Sequence, residues 1–152
     1  MYRIIQYYNF KHIKEPGPFC AAHKQKCRSF NLKGRVYIAQ EGINGTVAGT
    51  AADISRYKEY VWSLPGFHDT EFKEDDCTSI PFVKLMVKTR PEIVTLKASV
   101  GIDPQKDTGG RYLSPKQWRQ ILESDKDYLL IDVRNNYESR IGYFEGALKP
   151  DI

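Results

Sequence analysis

Apolar and polar positions along the chain fall into short alternating runs, which predict strands, and longer runs at helical spacing. From Tyr2 to Phe10 the sequence is β-branched and aromatic. It stops at the Pro/Gly-rich segment Glu15-Pro16-Gly17-Pro18, so a first strand is expected there. Phe19, Cys20, His23, Cys27 and Phe30 then recur on one face of a 3.6-residue period, predicting a helix over residues 17 to 30 with Gly34 as its stop. Arg35–Ala39 and Thr46–Ala48 read as two strands. The segment Gln40-Glu41-Gly42-Ile43-Asn44-Gly45 between them reads as a hairpin turn, because tight reversals favour Gly and Asn. Thr50 and Asp53 have capping-box spacing, and Ile54, Tyr57, Val61 and Leu64 carry a second helix up to Pro65-Gly66.

Glu74, Asp75 and Asp76 are most simply a solvated loop. Val83, Leu85 and Val87 alternate with Lys84, Met86 and Lys88, the period of a half-buried strand with a cationic outer face, and Ile93–Leu96 extends it. The order strand, helix, strand, strand, helix, strand predicts an α+β, ferredoxin-like (acylphosphatase-like) domain over residues 1 to 97. Residues 98 to 112, with Gly101, Pro104, Gly109 and Gly110, read as a linker. Beyond it, Ser114-Pro115-Lys116-Gln117 is a helix start, and Trp118, Ile121 and Leu122 give that helix an apolar face. Tyr128-Leu129-Leu130-Ile131, ending in Asp132, reads as a strand buried on both faces of a parallel sheet. One helix and one such strand leave backbone edges and faces without partners, so residues 113 to 152 are expected to be an incomplete α/β domain.

Composition narrows the class. Hydrophobic residues at 41% and charged residues at 28% are near globular averages, and no apolar run approaches the roughly 20 residues that span a bilayer. Met1-Tyr2-Arg3-Ile4-Ile5-Gln6 has no signal-peptide pattern, and three scattered cysteines form no disulfide framework. A cytoplasmic protein is expected. A Cys20–Cys27 bridge is excluded on a helix, where seven residues rise about 10.5 Å. Residues 1 to 97 hold 15 Lys+Arg against 10 Asp+Glu, whereas residues 98 to 152 hold 8 against 9. The basic excess therefore sits in the first domain and suits a polyanionic partner.

Asp132-Val133-Arg134, Glu138 and Ile141-Gly142-Tyr143-Phe144-Glu145-Gly146-Ala147 resemble the opening of a rhodanese domain. Together with Glu41-Gly42-Ile43-Asn44-Gly45-Thr46-Val47, the Phe82–Val87 strand and Glu92-Ile93-Val94, they make the chain similar to the rhodanese-related tRNA uridine hydroxylase family. That resemblance implies oxygen-dependent 5-hydroxylation of the wobble uridine of tRNA, with an essential cysteine in a glycine-rich rhodanese loop. Cys20, Cys27 and Cys77 do not lie in such a motif, so no catalytic residue is assigned and the chain alone is expected to be inactive. The competing readings are a thiosulfate-type sulfurtransferase and a non-catalytic module binding RNA or protein.

Glu41, Gly42, Asn44 and Gly45 suit an RNA-contacting loop, or else a turn whose glycines meet backbone needs only. Lys84, Lys88 and Arg90 can track a tRNA backbone or merely solvate a sheet face, and Tyr7, Tyr8 and Tyr37 can stack on bases in an exposed loop or pack in a core. His23 between Cys20 and Cys27 suggests zinc ligands, but the helical spacing favours burial and no fourth ligand is apparent, so no metal site is assigned. Asp132, Arg134, Glu138, Gly142 and Gly146 are expected to organise the rhodanese loops, with Arg134 nearest any substrate. The implied partner is tRNA, without a membrane; no cofactor is assigned, and a homodimer through the unpaired rhodanese sheet is expected.

Overall fold

Five strands make one sheet in the order β4-β1-β3-β2-β5: β1 (Tyr2–Phe10), β2 (Lys33–Ala39), β3 (Gly42–Thr50), β4 (Lys73–Cys77) and β5 (Leu85–Thr89). Neighbours are antiparallel except β2 and β5, which run parallel. The computed structural model describes residues 1–94, 110–124 and 127–151, and the chain divides into two units, Met1–Gly109 and Gly110–Ile152.

Helix α1 (Pro16–Ser29) starts on Pro16, whose missing N–H costs nothing in the first turn, and buries His23 and Cys27. Helix α2 (Ala51–Ser63) is capped by Thr50, whose hydroxyl accepts from the Asp53 N–H at 3.2 Å, and buries Ile54, Tyr57 and Val61. Both helices lie on one face of the sheet, where these side chains form a continuous core with Ile5, Tyr7, Val36, Ile38, Ile43, Val47 and Val87. At its centre the Tyr57 hydroxyl meets the Tyr7 hydroxyl and the His23 Nε2, the latter at 2.7 Å. Burial holds the His23 pKa down to about 4 and pushes the Cys27 thiol up to about 12.

Several sequence expectations need correction. The hairpin turn is only Gln40-Glu41; Gly42 to Gly45 belong to β3, a central strand between β1 and β2. Alternation could not reveal this, because Gly42 and Gly45 leave no apolar signal. Helix α1 ends at Phe30 and Asn31, which takes φ 53°, and Gly34 lies inside β2. The acidic run Glu74-Asp75-Asp76 is not a loop but most of edge strand β4. It is held to β1 in register and by Glu74, which pairs with Arg3 at 2.6 Å and Lys58 at 2.7 Å. The expected fourth strand is therefore a fifth, on the opposite edge. It begins at Leu85, and Val83 is 92% exposed, so the apolar alternation overran the strand by two residues. Ile93 and Val94 do not continue β5, and Thr95 and Leu96 lie outside the described residues, as does the linker segment from 98 to 109.

In the second unit α3 (Pro115–Leu122) begins with the expected capping box, Ser114 accepting from the Gln117 N–H and the Gln117 side chain accepting from the Ser114 N–H. Trp118, Ile121 and Leu122 are half-buried rather than buried. The expected buried strand over 128–131 is reduced to a single parallel bridge, Ile131 to Leu148, and Leu129 is 70% exposed. A short helix α4 (Asn136–Ser139) follows. Trp118, Leu130, Tyr143 and Phe144, with Asp132 and Arg134, line a mainly apolar hollow of about 480 Å³ among these elements.

Candidate nucleic-acid interface

Because α1 and α2 cover one face of the five-stranded sheet, every second residue of each strand points to the other face. Strand register aligns these residues in rows. Tyr8 of β1 lies opposite Asn44 of β3, Asn44 lies opposite Tyr37 of β2, and Tyr37 lies opposite Lys88 of β5. The adjacent row is Gln6, Thr46, Arg35 and Met86. Tyr8, Gln6, Arg35 and Lys88 are exposed, while Tyr37, Asn44 and Thr46 are half-buried.

Cations frame the aromatic rings. The Arg90 guanidinium lies 5.0 Å from the Tyr37 ring centroid and that of Arg35 lies 5.8 Å from it, within cation–π range. Phe10 braces the Tyr8 ring edge-on at 5.9 Å. Among the described residues, Lys33, Arg35, Lys84, Lys88 and Arg90 make no ion pair with a carboxylate, whereas Arg3, Lys58 and Arg56 do. Among the described strand residues of this face the acid is Asp75, at the far edge opposite Ile4, and the Glu41 carboxylate is engaged by the Ile93 N–H.

The residues singled out in the sequence divide into two groups. Lys88 and Arg90 sit on or beside this face; exposed Lys84 precedes β5 and accepts the Gly34 N–H on its carbonyl at 3.1 Å. Tyr8 and Tyr37 are on the face, in strands rather than a loop. Tyr7 is 2% exposed in the core, because it is one position out of phase with Tyr8.

Glu41, Gly42, Asn44 and Gly45 have internal partners. The Glu41 Oε1 accepts the Ile93 N–H at 2.6 Å and the Asn44 Nδ2 donates to the Ile93 carbonyl at 2.9 Å, so together they clamp one peptide unit on either side of a buried residue. Gly42, at φ 149°, has the Asn9 carbonyl 2.1 Å from where a Cβ would stand, and Gly45 has the Tyr7 hydroxyl 2.5 Å from that position. These four residues fasten the sheet and the chain leaving it.

In the second unit Arg134 donates to both Asp132 oxygens, at 2.9 and 2.6 Å, and to the Gly142 carbonyl at 2.7 Å. The guanidinium draws the Asp132 pKa down to about 2. Glu138 accepts the Asn135 N–H at 3.1 Å as part of the α4 cap, and Gly146 turns the chain at φ 76°. Asp132, Arg134 and Glu138 thus hold a loop. Among the described residues no three His, Cys, Asp or Glu side chains are grouped to hold a metal, and no helix is long and apolar enough to cross a membrane.

An α+β sandwich with order β4-β1-β3-β2 and two helices on one face defines the class: a ferredoxin-like domain of the acylphosphatase type. The chain belongs to the family described as UPF0176 acylphosphatase like domain, which matches residues 2–93. Over 151 residues it is 42% identical to a tRNA uridine(34) hydroxylase of Staphylococcus haemolyticus (strain JCSC1435), covering 99% of this chain and 47% of that protein. A tRNA uridine(34) hydroxylase of Bacillus licheniformis is likewise 42% identical, with 46% of its length covered. The chain spans about half the length of the curated relatives it matches. Among solved structures, an acylphosphatase from Coxiella burnetii overlaps 58% of this chain and 90% of its own at TM-score 0.40 and 15% identity.

Proposed function

We propose that this chain is the tRNA-binding amino-terminal part of a protein that hydroxylates uridine 34 of tRNA. The observation that carries this reading is 42% identity running through 99% of the chain to proteins named for that reaction. The match extends past residue 93 into the second unit. Residues 113 to 152 accordingly serve as the opening of a rhodanese domain, with Asp132, Arg134, Glu138, Gly142 and Gly146 shaping its loops.

Neither Cys20 nor Cys27 is set up as a reactive sulfur, and Cys77 ends strand β4 rather than lying in a glycine-rich loop. Cys27 is buried with a raised pKa, and burial also raises that of Cys20. A nucleophilic thiol needs the opposite shift. Hydroxylation therefore belongs to the longer protein, and no observation favours sulfur transfer. This chain contributes binding: Lys84, Lys88 and Arg90 meet tRNA phosphates, and a tRNA substrate places the protein in the cytoplasm. For the chain by itself, exposed Leu129, Ile131 and Val133 favour pairing with a second copy.

Titrating the chain with bulk tRNA at several salt concentrations tests the binding role. Salt-sensitive binding is expected, and a Lys84→Ala, Lys88→Ala, Arg90→Ala variant should weaken it and lower the log–log salt slope by about 2 units. Loss of the full-length protein should also leave uridine 34 unmodified in tRNA examined by mass spectrometry. Fully modified tRNA after that loss, or tRNA binding unaltered in the triple variant, refutes the corresponding half of the reading.

A further inference from the structure

We propose that the face of the sheet opposite α1 and α2 is a stacking platform for unpaired nucleotides, with Tyr8 and Tyr37 each taking one base and Arg35, Lys88 and Arg90 taking the adjoining phosphates. This rests on the reading of the chain as an RNA-binding module and names the part of the RNA that this face accepts.

The geometry points to single strands. Tyr8 and Tyr37 occupy one cross-strand row with Asn44 between them, so their backbones stand two strand spacings apart, about 10 Å. Tyr8 is 50% exposed, and its ring is steadied by Phe10 rather than sunk in the core. A β-strand side chain stands roughly perpendicular to the sheet, so the two rings rise on either side of the Ile93 segment that Asn44 holds, where splayed bases can lie against them. Bases in a duplex are already stacked on each other and offer no free π-face, whereas unpaired bases do.

Charge selects the occupant. Arg35 and Arg90 lie 5.8 and 5.0 Å from the Tyr37 ring centroid, and Lys88 is its register neighbour. Two guanidinium groups lie within cation–π range of this ring and Lys88 stands beside it in register, and among the described residues no carboxylate pairs with these three cations. An apolar protein partner would have to desolvate those cations. A nucleotide instead supplies a base for the ring and a phosphate for the guanidinium groups, the combination that single-stranded nucleic-acid grooves use. Asn44 has one of its two amide N–H groups committed to the Ile93 carbonyl. Stacking itself is tolerant of base identity, so recognition of a particular tRNA falls to other parts of the protein.

Fluorescence anisotropy of the 152-residue chain with a labelled, unstructured ten-nucleotide RNA, a blunt RNA duplex of equal length and bulk tRNA tests the proposal. The single strand should bind at least tenfold more tightly than the duplex. Tyr8→Leu and Tyr37→Leu should each weaken single-strand binding by about tenfold, with Tyr8→Phe and Tyr37→Phe restoring it. Leucine is tolerated on an exposed strand face, and circular dichroism will confirm that the variants are folded. If tRNA binds but the leucine variants bind the single strand as the parent does, or the duplex competes equally, the platform is overturned while the tRNA reading stands. Single-strand binding without tRNA binding supports the platform and sinks the tRNA reading. Binding of neither RNA overturns both.

Discussion

Asn44 of β3 donates its side-chain Nδ2 to the carbonyl of Ile93 at 2.9 Å, tying a central strand to chain 49 residues further on. Ile93 is 3% exposed, so its carbonyl has little water to turn to if that donor is removed. Asn44→Ala should cost about 1–3 kcal/mol, the penalty for a buried polar group left without its partner. Chemical denaturation will read that loss, and native-state hydrogen exchange should show faster exchange around residues 91 to 94. Unchanged stability would mean that the segment is held by Glu41 and packing alone.

Gly45 is enclosed by a rigid neighbour. A Cβ there would stand 2.5 Å from the Tyr7 hydroxyl and 2.6 Å from its ring carbon Cζ. Tyr7 cannot swing aside cheaply, because its ring is buried and its hydroxyl is bonded to that of Tyr57. Gly45→Ala is expected to destabilise by about 1–3 kcal/mol, the usual scale for overpacking a well-filled core. Thermal unfolding checks this, and a parent-like Tm would show that the sheet relaxes to make room.

His23 makes the fold acid-sensitive. Burial lowers its pKa to about 4 in the folded chain, against an ordinary value of about 6.5 when unfolded. Between those two values the unfolded state binds more protons, so stability is fully present above about pH 6.5 and is lost as the pH falls towards 4. The two and a half pKa units correspond to roughly 3 kcal/mol. Urea midpoints measured from pH 7.5 to 4 should fall, and His23→Leu should flatten that part of the profile. A profile equally steep in His23→Leu would assign the acid sensitivity to other groups.

Much of the fold was legible in the chain because it depends on local spacing. The faces of α1 and α2, the Thr50 cap and the Ser114 capping box emerge where the sequence places them, since each is set by residues within one or two turns of each other. Strand β4 was not legible. Lys73-Glu74-Asp75-Asp76-Cys77 is polar throughout, and it is a strand because β1 offers it a free edge and Arg3 and Lys58 neutralise Glu74. The same holds for Gly42 to Gly45, which resemble a turn in isolation yet form the middle of the sheet.

For the site, the sequence by itself determined which residue types were available: exposed-strand lysines, tyrosines in pairs, and a basic excess in the first 97 residues. The tertiary structure decided which of them face the same way. Tyr7 and Tyr8 are neighbours in the chain, but the pleat sends one into the core and the other to the surface. Tyr37 and Arg90 are 53 positions apart, and only the parallel pairing of β2 with β5 brings the guanidinium over the ring. A strand's own period fixes alternation, whereas register between strands is set by long-range packing, and that is where the candidate interface is made.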